Sequence, residues 1–417
     1  MTDPSAYFLT ETQLRDRFEE RVREFVFDGF EPQETPALVL LGGQPAAGKS
    51  QAMAATVRRH GGTLVPLTGD ELRPLHPRYQ ELLAEDAQTR ETATAQFSGA
   101  MVRMSIEHAL DDGYGLLLEG VFRDPRMTIG TAERFAAVGR PVGVVALAVR
   151  EERSRLDALD RFLEGGRWTP PELQDLAYGK VPETVAAAEQ SPAVTSVVIT
   201  NRSAANLYSS KRGPDGLWPE GPGAVPVLES ERAKPMPVDE AVSWLEKYRT
   251  VLVEMAARGE TTDKSRPVLR RLSQDAETVA AMASPDPSGS VRQQYEATKP
   301  LLSLLIENSV ATGPTPLALF LDLPATPQGR DESRRRDQLT PATRAAEDKL
   351  RSRFAAARQH HGTGPAPEAS RRPNASAARA RSTTTRGRPA PSAGTGSTPG
   401  REAPQPPAPE RRRGRNL

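Results

Sequence analysis

The chain has 417 residues, of which 37% are apolar. That length accommodates two or more domains of ordinary size, and an apolar share below the globular norm points to a part that builds no core. No cysteine is present, which excludes disulfides, iron–sulfur clusters and thiolate zinc sites. The net charge of +1 hides an asymmetry: residues 362–417 hold eleven Arg against three Glu, a net +8, which leaves −7 on residues 1–361. No stretch reaches the ~18 apolar residues of a membrane span, and the N-terminal residues show no basic segment followed by an apolar one. The expected setting is the cytoplasm, with no membrane contact.

Taken in chain order, Leu14, Phe18, Val22 and Phe25 or Val26 recur at spacings of three and four, which predicts an amphipathic helix over 11–26. Residues 37–42 (ALVLLG) read as a buried strand, and the Ala-rich stretch 49–60 as a helix stopped by Gly61 and Gly62. A second strand follows at 63–68, then a helical pattern over 77–111 in two pieces, and a third strand at 113–120. A helix over 126–138, a Val-rich strand at 141–149 and a charged helix at 151–164 continue the alternation. Strands alternating with helices imply a parallel sheet covered on both faces. SVVITNRSAANLYSS (196–210) differs: two alternating runs flank a polar turn, as in a hairpin at the edge of the core. A further amphipathic helix spans 238–257.

Beyond residue 260 the periodicity weakens. The expected organisation is a P-loop kinase domain at 1–259, a loosely packed helical extension at 260–361, and an Arg/Pro/Ala-rich tail at 362–417. The tail cannot bury enough apolar surface to offset its ordering entropy and is expected to be disordered.

GQPAAGKS (residues 43–50) matches the phosphate-loop pattern at every fixed position, between an apolar strand and a helical stretch. Gly43, Gln44, Pro45, Ala46, Ala47 and Gly48 would let backbone amides curl around a triphosphate. Lys49 would reach the β- and γ-phosphates, and the Ser50 hydroxyl would bind Mg²⁺. The motif specifies nucleotide binding and leaves kinase, ATPase, GTPase and motor open. Asp70 stands at the carboxyl end of the second strand, where ligands of open α/β sheets bind; it fits a general base, a group in the Mg²⁺ shell, or a helix N-cap. Glu119 ends the third strand at the same sheet edge, as a crevice acid or a structural one. Arg155, Arg161 and Arg167 lie in or after the charged helix, either over a transferring phosphoryl group or on a solvated face.

Several segments in order resemble the zeta toxin family, the kinase toxins of bacterial toxin–antitoxin pairs. They are GGQPAAGKS; TGDELRPLHPRYQELL (68–83), with Asp70, Arg73, His76, Pro77 and Tyr79; LLLEGVFRDP (116–125); LDRFLEGGRWTPPELQDLAY (159–178); and the hairpin followed by the Trp-containing helix. The resemblance spans about residues 10–250. It implies Asp70 as general base, Arg161 and Arg167 as phosphate-clamping arginines, and Arg73, His76 and Glu119 in the substrate pocket. The chain departs from the family pattern at Val121, where a small hydroxylated residue is usual, at Phe162 in place of tyrosine, and in a shorter gap between Arg161 and Arg167.

What the resemblance implies is phosphorylation of a sugar hydroxyl of UDP-N-acetylglucosamine by ATP with Mg²⁺, and a small helical antitoxin as partner. Two other readings stand beside it: a P-loop kinase acting on another metabolite, a nucleoside, an antibiotic or a polynucleotide end, and a nucleotide-switched binding protein. The tail's arginines allow electrostatic contact with nucleic acid, but it has no aromatic residue for base stacking.

Overall fold

The computed structural model describes residues 3–307, apart from Asp86 and residues 165–167. The tail at 362–417, the part of the extension after residue 307, and Arg167 lie outside the described residues.

An N-terminal 3₁₀ turn (Pro4–Tyr7) precedes α1 (Glu11–Arg17) and α2 (Arg23–Phe27), which one π turn joins. Then come β1 (Leu38–Gly42), α3 (Lys49–Arg59), β2 (Leu64–Leu67), α4 (Gly69–Leu72), α5 (Tyr79–Ala84), α6 (Ala87–Asp112), β3 (Gly115–Gly120), α7 (Pro125–Ala136), β4 (Val142–Leu147), α8 (Glu151–Leu163), α9 (Pro171–Gln190), β5 (Ser196–Thr200) and β6 (Asn206–Lys211). The last helices are α10 (Ala224–Ala233), α11 (Val238–Ala257), α12 (Arg266–Ala283) and α13 (Ser290–Glu307).

The six strands form one sheet in the order β2-β3-β1-β4-β5-β6. The first five are mutually parallel and β6 pairs antiparallel to β5 at the edge. β1 lies between β3 and β4, with Leu40 opposite Leu118 on one side and Val144 on the other. Every residue of β1 is buried because the pleat sends alternate side chains to two covered faces. Leu38 and Leu40 join Val65, Leu116, Val142 and Val197 on one face, which α6, α7 and α9 cover with Phe97, Phe135 and Val185. Val39 and Leu41 join Leu117, Val145 and Leu147 on the other, which α3 covers with Ala52 and Met53. A fully buried side chain such as Phe135 contributes about 1.5–3 kcal/mol through burial alone. Pro66 sits within β2, where it is tolerated because β2 is an edge strand pairing only with β3.

A second apolar cluster is helical. Leu156 and Leu159 of α8, Trp244, Tyr248 and Leu252 of α11, Leu269, Leu272 and Val279 of α12, and Tyr295, Leu302 and Leu305 of α13 pack together. The Trp244 indole stacks on Tyr248, with ring centroids 5.5 Å apart, and donates to the Glu152 carbonyl at 3.1 Å. Buried Arg155 of α8 pairs with Asp275 of α12, and with Glu151 at 2.6 Å. Among the described residues no helix is long and apolar enough to cross a membrane.

Candidate nucleotide and acceptor site

The loop between β1 and α3 has the backbone of an anion cradle. Ala46 and Gly48 both take left-handed φ, 57° and 89°, which turns successive amides toward one side. Gly48 is needed for a second reason: a Cβ there would stand 3.3 Å from Cγ of Arg202. Gly42, just before the loop, admits no side chain either, since a Cβ would meet the Phe122 ring at 2.2 Å. α3 begins at Lys49, so the positive end of its dipole points into the loop.

Side chains from distant elements hold the loop in shape. Gln44 is fully buried; its Nε2 donates to the Val149 carbonyl at 2.8 Å and to Ser154 Oγ at 3.3 Å. Gln174 of α9 donates to Ser154 Oγ at 2.8 Å and to the Pro45 carbonyl at 3.4 Å. On the other flank Arg202, in the β5–β6 turn, donates to the Ala46 carbonyl at 3.1 Å. Asp157 of α8 fixes that guanidinium at 2.6 Å and also pairs with Lys247 at 2.7 Å and Arg153 at 3.3 Å. Burial opposes ionisation of Asp157, but Arg202, Lys247 and Arg153 together hold its carboxyl below the usual range.

Lys49 Nζ donates to the Gly43 and Gln44 carbonyls, at 3.1 and 3.2 Å, and lies 3.8 Å from Glu119 Oε1 at the end of β3. Burial pushes the Glu119 carboxyl up; Lys49 pulls it down, Asp70 pushes it further up, and Arg161 and a hydrogen bond from Thr68 pull it down. One carboxyl therefore feels the charges of Lys49, Asp70 and Arg161, carried by the first turns of α3 and α4 and the last turn of α8.

Asp70 is not the N-cap of the helix after β2. Thr68 occupies that position, and Asp70 sits inside the first turn of α4. Its side chain is 59% exposed and accepts from Arg73 Nε at 3.2 Å. Arg73 is in turn fixed to α6, donating to Thr94 Oγ1 at 2.8 Å and pairing with Glu91 at 3.1 Å. This brace aims the Asp70 carboxylate while leaving it open to solvent.

His76 is 2% exposed, and both ring nitrogens meet backbone groups. Nδ1 accepts from the Arg78 amide at 3.1 Å, so Nε2 carries the proton and donates to the Tyr7 carbonyl at 3.1 Å. The ring thus ties the N-terminal turn to the segment after Asp70 and presents no free nitrogen to a ligand. Arg161, near the end of α8, donates to Thr169 Oγ1 at 3.3 Å, and its buried Nε has no hydrogen-bond partner. Arg155 is neither a clamp nor on a solvated face, being committed to Asp275 and Glu151. Ser50 is exposed on the first turn of α3. Thr68, Ser154, Asp157, Gln174 and Arg202 were not singled out in the sequence; only contacts far along the chain give them a part.

A glycine-bearing loop from the central strand of a parallel sheet into a helix, with its lysine folded over the loop carbonyls, defines a P-loop nucleotide-binding protein. Residues 24–213 match the family model described as "Zeta toxin". Toxin zeta of Enterococcus hirae is 27% identical over 215 residues, which cover 50% of this chain and 73% of that protein. Toxin PezT of Streptococcus pneumoniae serotype 4 is 28% identical over 190 residues, covering 44% of this chain and 75% of that one. A solved structure from the PezAT chromosomal toxin-antitoxin system of Streptococcus pneumoniae is 25% identical, covers 49% of this chain and 82% of its own, and superposes with a TM-score of 0.44.

Proposed function

We propose that this chain is a cytoplasmic kinase toxin that transfers the γ-phosphate of ATP to a sugar hydroxyl of UDP-N-acetylglucosamine. The observation that carries the reading is Lys49 standing 3.8 Å from Glu119 at the carboxyl end of β3, beside the phosphate loop, with Asp70 and Arg161 near enough to act on the same carboxyl. Phosphoryl transfer needs positioning and charge neutralisation more than covalent chemistry, and these groups offer both.

In this reading the loop amides and Lys49 hold the β- and γ-phosphates. Asp70, aimed by Arg73, takes the proton of the acceptor hydroxyl as its oxygen bonds to the γ-phosphorus and the bridging oxygen leaves with ADP. Arg161, with Arg167, neutralises charge on the transferring group. Glu119 faces the acceptor sugar, and His76 and Arg73 keep the acceptor segment in place. Mg²⁺, when bound, would neutralise charge across the β- and γ-phosphates, with the Ser50 hydroxyl among its ligands. The match of residues 24–213 to the "Zeta toxin" model supports a helical antitoxin as partner.

Mass spectrometry of the purified chain with ATP, Mg²⁺ and a panel of UDP-sugars tests the reading, with Asp70→Asn alongside. One phosphate gained on UDP-N-acetylglucosamine, reduced ~10²–10⁴-fold by Asp70→Asn, is the expected result. Phosphate gained only on another acceptor would keep the kinase and discard the substrate; full turnover by Asp70→Asn would discard the base.

A further inference from the structure

The back of the phosphate loop carries a charge that the reading above does not use. Arg232, on α10, donates from Nη2 to Gln44 Oε1 at 3.1 Å and from Nη1 to the Tyr178 carbonyl at 2.9 Å. It is 7% exposed, and its guanidinium lies over the Tyr178 ring, 4.0 Å from the centroid. No carboxylate pairs with it among the described residues, and its Nε has no hydrogen-bond partner. Glu229 and Glu151 act on it only at longer range, and burial lowers its pKa to about 10, so it stays charged at neutral pH.

A buried cation without a counter-charge costs free energy unless something negative offsets it. Tyr178 offsets part, through its ring face. The rest of what Arg232 touches is the loop. Its guanidinium accepts nothing, so it fixes the Gln44 carboxamide with oxygen toward Arg232 and nitrogen toward Val149 and Ser154. The set amide anchors the loop at Gln44, and Gln174 holds the Pro45 carbonyl from α9 at 3.4 Å.

We propose that Arg232 is a positioning residue of the phosphate loop, locking Gln44 from behind and supplying a buried positive charge that a bound triphosphate offsets. The inference rests on residues 43–50 being the nucleotide site. It separates from a purely structural role by its sign. A structural arginine stabilises the unliganded fold, and its loss lowers stability. A positioning arginine of this kind burdens the unliganded fold, and its neutral replacement weakens polyphosphate binding without loss of stability.

The test is isothermal titration with ATP and thermal unfolding of the full chain, for wild type, Arg232→Met, Arg232→Gln and the loop control Lys49→Ala. Arg232→Met is expected to weaken ATP binding ~10-fold or more, the scale of a charge-assisted hydrogen bond, with an unliganded midpoint equal to or above wild type. Arg232→Gln keeps a donor for Gln44 without the charge and should fall between; it carries the comparison alone if the Met variant does not fold. Wild-type ATP affinity in Arg232→Met, or in Arg232→Gln where only that variant folds, overturns the inference and leaves the nucleotide site standing. A lowered midpoint in Arg232→Met, with Arg232→Gln restoring both midpoint and affinity, overturns it in favour of a structural role. Wild type that binds no ATP, or Lys49→Ala that binds as wild type does, overturns the nucleotide site and the inference with it.

Discussion

The strand ends around β1 and the helical cluster of α8, α11, α12 and α13 both sit on large apolar cores, yet they treat charge differently. In the helical cluster ionic groups are matched closely: Arg155 is enclosed by Asp275 and Glu151, and Asp157 by Arg202, Lys247 and Arg153. At the strand ends the pairs are wider or more exposed, with Lys49 and Glu119 3.8 Å apart and Asp70, paired with Arg73 at 3.2 Å, 59% exposed. Closely matched charges specify a fold, while loosely matched ones stay available to a ligand. α8 belongs to both regions. Its Arg155 and Asp157 face helices and the loop flank, and Arg161, near its C-terminal end, acts on Glu119.

Substitutions in the two regions should therefore fail in different ways. The largest effect is expected at Lys49→Ala, which removes a cation from the developing phosphoryl charge and should lower turnover ~10²–10³-fold with little change in the unfolding midpoint. A large midpoint shift in that variant would contradict the division. Asp275→Ala should do the converse. Removing one partner of a buried pair costs ~3–5 kcal/mol, and because Glu151 remains beside Arg155 at 2.6 Å the loss should fall near the lower end, read by denaturant titration. Arg155→Met combined with Asp275→Leu should recover most of it, since the buried charges leave together. Asp157→Asn should lie between the two kinds. It frees Arg202 from the loop flank, so the KM for ATP is expected to rise several-fold, on the scale of one weakened charged hydrogen bond of ~1 kcal/mol. An unchanged KM would detach Asp157 from the loop.

How much of this could be read in the chain depends on the range of the forces involved. The loop, the parallel strands and the β5–β6 hairpin were legible because their signals are local: a fixed glycine–lysine spacing, continuous apolar runs, and a polar turn between alternating runs. α9 escaped notice because Gly179 and Pro182 interrupt it, and its opening Pro170-Pro171 reads as a loop although proline suits a first helical turn. α12 was blurred by Ala276, Ala280 and Ala283, small residues that occupy the buried stripe with little hydrophobic signal. Asp70 and Glu119 could be placed at the sheet edge from strand ends alone. That Arg155 belongs with Asp275, 120 residues away, and Arg232 with Gln44, 188 away, could not, since no periodicity encodes a long-range ion or amide contact. His76 was legible as a residue and not as a role, because its burial depends on the N-terminal turn that covers it.

The smallest effect concerns that turn. The folded His76 ring is neutral, with its proton on Nε2 toward the Tyr7 carbonyl and Nδ1 accepting from Arg78, and burial lowers its pKa below the ordinary value of 6.5. The unfolded chain takes up a proton as pH falls through 6.5 while the folded ring resists it. Stability should therefore decline from about pH 6.5 downward, with a ceiling of about 1.4 kcal/mol per pH unit for one proton. His108, also lowered by burial, adds to the same slope, and Asp275, which burial pushes up to about 6, works against it. His76→Gln removes one of the destabilising contributions, so its unfolding free energy should fall less steeply than that of wild type between pH 6.5 and the folded pKa. Equal slopes would mean that the ring is not held neutral. Because the ring pins the segment that follows Asp70 and Arg73, the same acidification should loosen the acceptor side of the strand ends. Hydrogen exchange at the amides of residues 70–80, followed from pH 7 to pH 5.5 and corrected for intrinsic rates, should speed up on acidification in wild type; unchanged protection would detach the ring from that segment.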